Sequence, residues 1–285
     1  MIPCRPVLNT NIVSLSGEFA GNVMTCKVCE GKNQPLFRAR VLQKYEVEYF
    51  WCERCGYVCT ESPFWLPEAY SDAIARTDTG ILARNLKIAN ILALFIPTYF
   101  APEAAFVDMA GGYGILTRLM RDRGFEFYWS DEYCENLVAR GFEVESGPDR
   151  FAAVTAFEVL EHVEDPLGFV SDALAKSNAQ AFIFSTELYT AGVPPSPAQW
   201  PYYSLDTGQH ISFYSKRTLE YMAGVLGCHF DSNGIVHMFS RRSISRWRFR
   251  IFTNHQLAQL AALVMKYNGR SKTQSDRDLV SRSLR

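Results

Sequence analysis

A glycine-rich turn, Val107-Asp-Met-Ala-Gly-Gly-Tyr-Gly114, lies between a short apolar run and a helical pattern. Glycines at a strand-to-helix turn accept backbone torsions that other residues avoid, and they let a ligand approach the main chain. The sequence around the turn keeps switching between period-2 and period-3.6 patterns. Ala105–Asp108 reads as a strand, Ile115–Arg123 as a helix and Phe127–Asp131 as a strand. Tyr133–Arg140 is expected as a short helix and Phe142–Glu145 as a short third strand. Ala153–Phe157 follows as a strand, Pro166–Ser177 as a helix and Ala181–Ser185 as a strand. Ser215–Leu226 reads as a helix capped by Ser215, and Ile235–Phe239 as a last strand. This rhythm predicts an α/β fold: a mostly parallel sheet with helices on both faces.

Five of the eight cysteines crowd into the stretch ahead of this region. Cys26-x-x-Cys29, 22 intervening residues and Cys52-x-x-Cys55 form two knuckles at zinc-ribbon spacing, a closed four-thiolate set for a structural Zn ion. Gly56 suits the tight turn of the second knuckle, and Cys59 is expected as a buried thiol, with substitution for Cys52 or Cys55 as a ligand the alternative. Between the knuckles, Arg38–Trp51 is rich enough in β-branched and aromatic residues to form strands. Residues 1 to about 21 show no clear periodicity, so residues 1–62 are taken as an N-terminal segment plus zinc ribbon. Residues 63–100 form a helical linker, broken at Asp78-Thr-Gly80, in which Ala73, Ile74, Ile81, Leu82, Leu86, Ile88, Ile91 and Leu92 recur at helical intervals.

The net charge of -1 conceals a polarity. Arg241–Arg285 holds 11 Lys and Arg against 2 Asp, while the rest holds 18 basic and 28 acidic residues. An acidic body argues against a nucleic-acid partner. The basic tail, residues 241–285, is expected to be partly helical, with an anionic substrate, a phospholipid surface or a partner subunit as its candidate contacts. No apolar run approaches the roughly 18 residues of a membrane span, and no signal peptide is evident, so a cytoplasmic protein is expected. Homo-oligomer formation stays open.

The turn Asp108-x-Ala-Gly-Gly-x-Gly114, with Asp131 ending the next strand 17 residues after Gly114, resembles the Asp-x-Gly-x-Gly-x-Gly signature of class I methyltransferases. Ala110 stands where that signature has its first glycine. Phe157-Glu-Val-Leu-Glu-His-Val-Glu-Asp-Pro166 resembles the post-strand motif of small-molecule methyltransferases related to the ubiquinone-biosynthesis O-methyltransferases. The resemblance covers about Asp108 to Phe239 and makes residues 101–240 a Rossmann-like domain dependent on S-adenosylmethionine. It implies a donor site at Asp108, Ala110, Gly112, Gly114, Asp131, Phe157 and Glu158, with Asp131 accepting from the ribose hydroxyls.

Methyl transfer also needs a group that deprotonates the acceptor. His210, in Asp206-Thr-Gly-Gln-His-Ile-Ser-Phe-Tyr214, is the candidate base, since the family carries a histidine in this loop; the plainer reading is a polar filler. Glu158, Glu161, His162 and His210 further resemble the divalent-metal set of small-RNA 2′-O-methyltransferases, which implies Mg²⁺ or Mn²⁺. Against this, many relatives use no metal and His162 then shapes the loop. Zinc modules similar to this one precede the catalytic domain of deoxysugar C-methyltransferases; those enzymes continue into a third, larger C-terminal domain that is not expected from this sequence, which weakens the transfer of their C-methylation chemistry. Tyr70 and Arg84 match the pre-domain helix of those enzymes, while Trp200, Tyr202 and Tyr203 are candidates for stacking on a sugar or packing a loop. The expected activity is O-methylation of a carbohydrate or other small polyhydroxylated acceptor. Sugar C-methylation, RNA methylation and an inactive zinc-ribbon interaction protein are the alternatives.

Overall fold

The computed structural model describes residues 24–71, 78–190, 192–264 and 271–283. The expectations for residues 1 to about 21 and for Ala73 and Ile74 lie outside the described residues.

The first two strands of the described residues form a hairpin, β1 (Gln34–Val41) and β2 (Tyr45–Trp51), closed through Leu42 and Gln43 at φ 52 and 55. Strand β3 (Val58–Thr60) adds antiparallel to β2. After the single turn α1 (Leu66–Ala69) comes the long helix α2 (Ile81–Tyr99). The predicted alternation then unfolds as β4 (Ala105–Met109), α3 (Ile115–Asp122), β5 (Glu126–Ser130), β6 (Ala153–Phe157), α4 (Pro166–Lys176) and β7 (Ala181–Ser185). The short strands β8 (Leu188–Tyr189) and β9 (Ser212–Ser215) lead into α5 (Lys216–Val225). Strands β10 (His229–Ser232) and β11 (His237–Ser240) close the sheet, and helices α6 (Arg246–Phe252), α7 (His255–Val264) and α8 (Thr273–Ser283) form the tail.

Six strands make the main sheet in the order β10-β11-β7-β6-β4-β5. The four strands β7, β6, β4 and β5 run parallel, while β11 and β10 are antiparallel. Strand side chains alternate between two cores, as a sheet covered on both faces requires. Val107, Val154, Phe182 and Phe184 pack with Val170, Leu174, Leu219 and Met222 of α4 and α5. Phe106, Ala153, Phe127 and Ile183 face Ile91, Phe95, Leu116, Met120 and Phe249 of α2, α3 and α6. This is the Rossmann-like α/β architecture the alternation predicted.

Two predicted elements are corrected. Tyr133–Arg140 is not a helix, because its amides are bonded elsewhere. The amides of Tyr133 and Cys134 donate to Asp131, those of Leu137 and Val138 to the Tyr113 carbonyl, and that of Ala139 to Asn136 Oδ1. Phe142–Glu145 gives only one bridge, Trp129 to Glu143, before a 3-10 turn at Val144–Ser146. A third point concerns α2, which is long and apolar enough to cross a membrane by composition. It nevertheless buries Ile88, Ile91, Leu92, Phe95 and Ile96 in the second core.

The four-cysteine segment is joined to the sheet domain by a second sheet, in the order β1-β2-β3-β9-β8. Val58 pairs with Phe213 and Cys59 with Ser212, so the strand after the second knuckle is continuous with the one that follows His210. Gly56 takes φ 79, and a Cβ there would meet Ser215 Oγ at 2.5 Å. The knuckle therefore lies directly on the cap of α5, where Ser215 and Thr218 form a reciprocal capping box. Tyr189 and Arg217 add hydrogen bonds to the carbonyls of Gly56 and Glu53. The tail is anchored through α8, where Asp276 accepts a bidentate pair from the buried Arg121 at 2.8 and 2.7 Å.

Candidate active site

The C-terminal ends of parallel strands collect ligand-binding loops in such sheets. Here β4, β6 and β7 deliver the glycine turn, the Phe157–Asp165 segment and Ser185–Thr186 to one edge. Two non-glycine residues at this edge hold left-handed backbone, Ala110 at φ 52 and Glu158 at φ 56. Such strain concentrates where a site demands it. Glu158 is fixed by a reciprocal pair: its amide donates to Ser185 Oγ at 3.1 Å, and the Ser185 hydroxyl donates to Glu158 Oε1 at 2.5 Å. Phe157, half-buried, pairs in register with Ser185.

The glycine turn is held from two sides. Asp131 Oδ2 accepts the Gly112 amide at 2.8 Å, and Trp129 Nε1 donates to the Gly112 carbonyl at 2.8 Å. Gly112 and Gly114 adopt φ 55 and 84, and a Cβ on Gly111 would approach Asp108 Oδ2 and Trp129 Cδ1 at 2.9 Å. Asp108 lies buried beneath the turn, accepting from Thr155 at 2.9 Å and Thr117 at 3.4 Å. Burial pushes its carboxyl up to about 7, aided by the charge of Asp131 and opposed by the two threonine hydroxyls. Asp108 therefore supports the loop from below, whereas Asp131 stands partly exposed beside it.

Beyond β6, a 3-10 turn at Leu160–His162 carries the second half of the constellation. Glu161, His162 and His210 bring one ligand atom each within 4.8 Å of one another, and the two imidazole centroids are 4.8 Å apart. Main-chain contacts dictate their tautomers. His162 Nδ1 is 3.0 Å from the Gln209 carbonyl and His210 Nδ1 is 2.7 Å from the Tyr202 carbonyl. A carbonyl only accepts, so each Nδ1 carries its hydrogen and each Nε2 is left with a lone pair. Burial drives both imidazoles below their ordinary value, His162 to about 3 and His210 to about 4, so both are neutral near pH 7. Glu161 is fully buried, and neither carboxylate oxygen has a hydrogen-bond partner among the described residues. Burial, then the charge of Glu158, push its carboxyl up to about 8. An orphaned carboxylate beside two lone-pair nitrogens suits a divalent cation. Glu158, predicted to belong to this set, stays outside it on Ser185.

The N-terminal half holds the His210 loop in place. Trp65 Nε1 donates to the Gly208 carbonyl at 2.8 Å, and the Gln209 side chain donates to the Ala69 carbonyl at 2.9 Å. The Ile211 amide donates to the Glu161 carbonyl at 2.8 Å, and Tyr214 donates to the Leu160 carbonyl at 2.7 Å. The Tyr70 phenol oxygen lies 3.0 Å from His162 Nδ1. Arg84 is paired with Asp78 at 2.6 Å and senses the charges of Glu158 and Glu161. Of the aromatic loop, Tyr202 lies 4.7 Å from the His210 ring. Trp200 and Tyr203 are instead buried against Phe213 as core, so stacking on a ligand is not their role. The sequence reading missed Gln209, whose carbonyl orients His162; a backbone contact leaves no signal in residue type.

The four predicted thiols form a second centre. Cys26, Cys29, Cys52 and Cys55 are all buried with their sulfurs within 4.8 Å, at 3.6 Å for Cys26–Cys55 and 3.4 Å for Cys29–Cys52. A tetrahedral ZnS₄ site with 2.3 Å bonds separates its sulfurs by about 3.8 Å, so the set fits that ion. Within the set the Cys55 thiol lowers Cys26 to about 5, whereas burial raises Cys29 to about 11 and the hydrogen bond to Cys26 raises Cys55. Cys59 is outside the set and accepts from Asn33 at 3.6 Å, a buried thiol as expected.

A family model described as a methyltransferase domain matches residues 82–230, more than half of the chain. The chain belongs to this methyltransferase family. No curated protein sequence matches it. Among solved structures, it is similar to a magnesium protoporphyrin IX methyltransferase from Synechocystis with bound SAH: 14% identity, 62% of this chain, 93% of that chain, TM-score 0.44. An O-methyltransferase family protein from Burkholderia thailandensis gives 13% identity, 64% coverage of each chain and a TM-score of 0.43. An O-methyltransferase family 2 protein from Planctomyces limnophilus in complex with apigenin gives 15% identity, 62% of this chain, 65% of that chain and a TM-score of 0.40. The glycine turn and the Phe157–Asp165 segment both lie inside the region that matches the methyltransferase domain.

Proposed function

We propose that this methyltransferase transfers a methyl group to a hydroxyl of a carbohydrate or other small polyhydroxylated metabolite. The observation that carries the reading is the convergence of Glu161, His162 and His210, with both imidazoles neutral and their Nδ1 hydrogens committed to carbonyls. A neutral imidazole with a free Nε2 lone pair beside the donor edge is what accepting a hydroxyl proton asks of a site. When bound, S-adenosylmethionine supplies the electrophilic methyl. Asp131, Gly112, Gly114, Ala110, Phe157 and Glu158 would hold it, with Asp108 supporting the loop. His210 Nε2 accepts the acceptor hydroxyl proton, while Tyr202 and the neighbouring loops position the acceptor.

The orphaned Glu161 favours a variant of this reading in which Mg²⁺ or Mn²⁺ sits between Glu161, His162 and His210. A cation there would occupy the His210 Nε2 lone pair, so in this variant it acidifies the bound hydroxyl in place of His210 accepting the proton. The four cysteines are assigned to a structural Zn²⁺ that joins the ribbon to the sheet domain through β3 and β9. The reading is tested by S-adenosylhomocysteine release across nucleotide sugars, glycans and catechols, with and without added Mn²⁺. Turnover on a polyhydroxylated acceptor is expected. Turnover confined to amines or to RNA would overturn the reading.

A further inference from the structure

We propose that α6 and α7 form a docking face for an anionic phospholipid surface. Both helices lie on α2 with one side committed to the core: Phe249 and Ala258 are 1% exposed, and Phe249 stacks edge-on against Phe95 at 5.4 Å. The opposite side is unusually apolar. Trp247, Ile251, Leu257, Leu260 and Leu263 are all exposed, with Leu263 at 81% and Trp247 at 62%. Among the described residues, a third of the fifteen large exposed hydrophobics thus fall in one 17-residue stretch, which makes a patch rather than scatter.

Charge identifies the occupant. Arg246, Arg248 and Arg250 are exposed between these apolar residues, and none is ion-paired to a carboxylate among the described residues. Arg241 and Arg242 extend the same basic run. A two-fold self-association through this face would set arginine against arginine, whereas anionic headgroups neutralise the row. Leucine and tryptophan flanked by arginine is also the composition of a helix lying in a bilayer interface. A nucleic acid would match the arginines but would leave the leucine stripe in water. The arginines thus supply long-range attraction to the surface, and the apolar residues supply shallow insertion.

The test is flotation of the full chain with phosphatidylcholine vesicles, with and without roughly 30 mol % phosphatidylglycerol. Binding to the anionic vesicles at least about tenfold above the neutral ones is expected. Replacing Arg246, Arg248 and Arg250 together by Gln is expected to lower that partition on the order of 100-fold, at about one decade or less per arginine. Leu260→Ser with Leu263→Ser should remove the part of the binding that persists at roughly 0.5 M salt. Unchanged S-adenosylhomocysteine binding by both variants shows that they are folded. Equal binding to neutral vesicles, no binding to either, or retention by the arginine variant would overturn the proposal. So would a dimer, or an RNA complex, that the same substitutions abolish while vesicles are ignored.

Discussion

Replacing Gly56 by Ala tests whether the four-cysteine module and the sheet domain form one cooperative unit. The new methyl group meets two obstacles. At φ 79 a Cβ is disfavoured by roughly 1–2 kcal/mol, and at 2.5 Å from Ser215 Oγ it must displace the hydroxyl that accepts the Thr218 amide. Losing an N-cap costs about 1 kcal/mol, so the sum is about 2–3 kcal/mol. For a chain of this size that lowers Tm by roughly 3–6 °C. Gly234 supplies the control: it has φ 94 but nothing within 4 Å of its added Cβ, so Gly234→Ala isolates the backbone cost. Calorimetry of the zinc-loaded protein should show a single transition, lowered about twice as far by Gly56→Ala as by Gly234→Ala. Equal shifts, or a separate early transition that moves alone, would refute the coupling of the knuckle to the α5 cap.

Three further outcomes follow from the same geometry. The Asp108 carboxyl, raised by burial to about 7 from an unfolded value near 3.8, favours the folded state fully below about pH 4 and loses that contribution as pH rises to 7. Asp108→Asn should therefore gain stability relative to the parent over this window, by on the order of 4 kcal/mol, and the gain should be flat above pH 7 in urea titrations. A pH-independent difference would contradict the assignment. Asp276→Ala strands the buried Arg121, leaving it Glu126 at 3.2 Å and the Phe127 carbonyl at 3.0 Å, and should cost about 3 kcal/mol in chemical denaturation. Asp131→Ala should weaken S-adenosylmethionine affinity on the order of 10–100-fold by calorimetry, the value of a charged hydrogen bond, and an unchanged Kd would remove Asp131 from the donor site.

How much of this was legible in the sequence depends on the range of the interaction. Strands β4, β6 and β7 announced themselves because each is a local apolar run ended by a turn, and the four thiols because their spacing is itself the signal. Tyr133–Arg140 misled because its composition is helical while Asp131, Asn136 and the Tyr113 carbonyl take its amides. Strands β8 and β9 have only two and four residues, and β9 pairs with β3, more than 150 residues earlier. No local pattern encodes that contact. The Leu42–Gln43 turn lacks the glycine or asparagine that usually marks left-handed backbone. Within the site, Glu161, His162 and His210 could be named from residue type, but the carbonyls of Gln209 and Tyr202 that orient them could not.

The central claim, that His210 serves as the base of an O-methyl transfer, is met most directly by steady-state kinetics of His210→Asn on the acceptor identified by S-adenosylhomocysteine release. Asn can still donate to the Tyr202 carbonyl but offers no imidazole nitrogen to accept a proton. The account predicts a fall in kcat of about 10²–10⁴-fold with donor Kd unchanged. An unaltered kcat would contradict it.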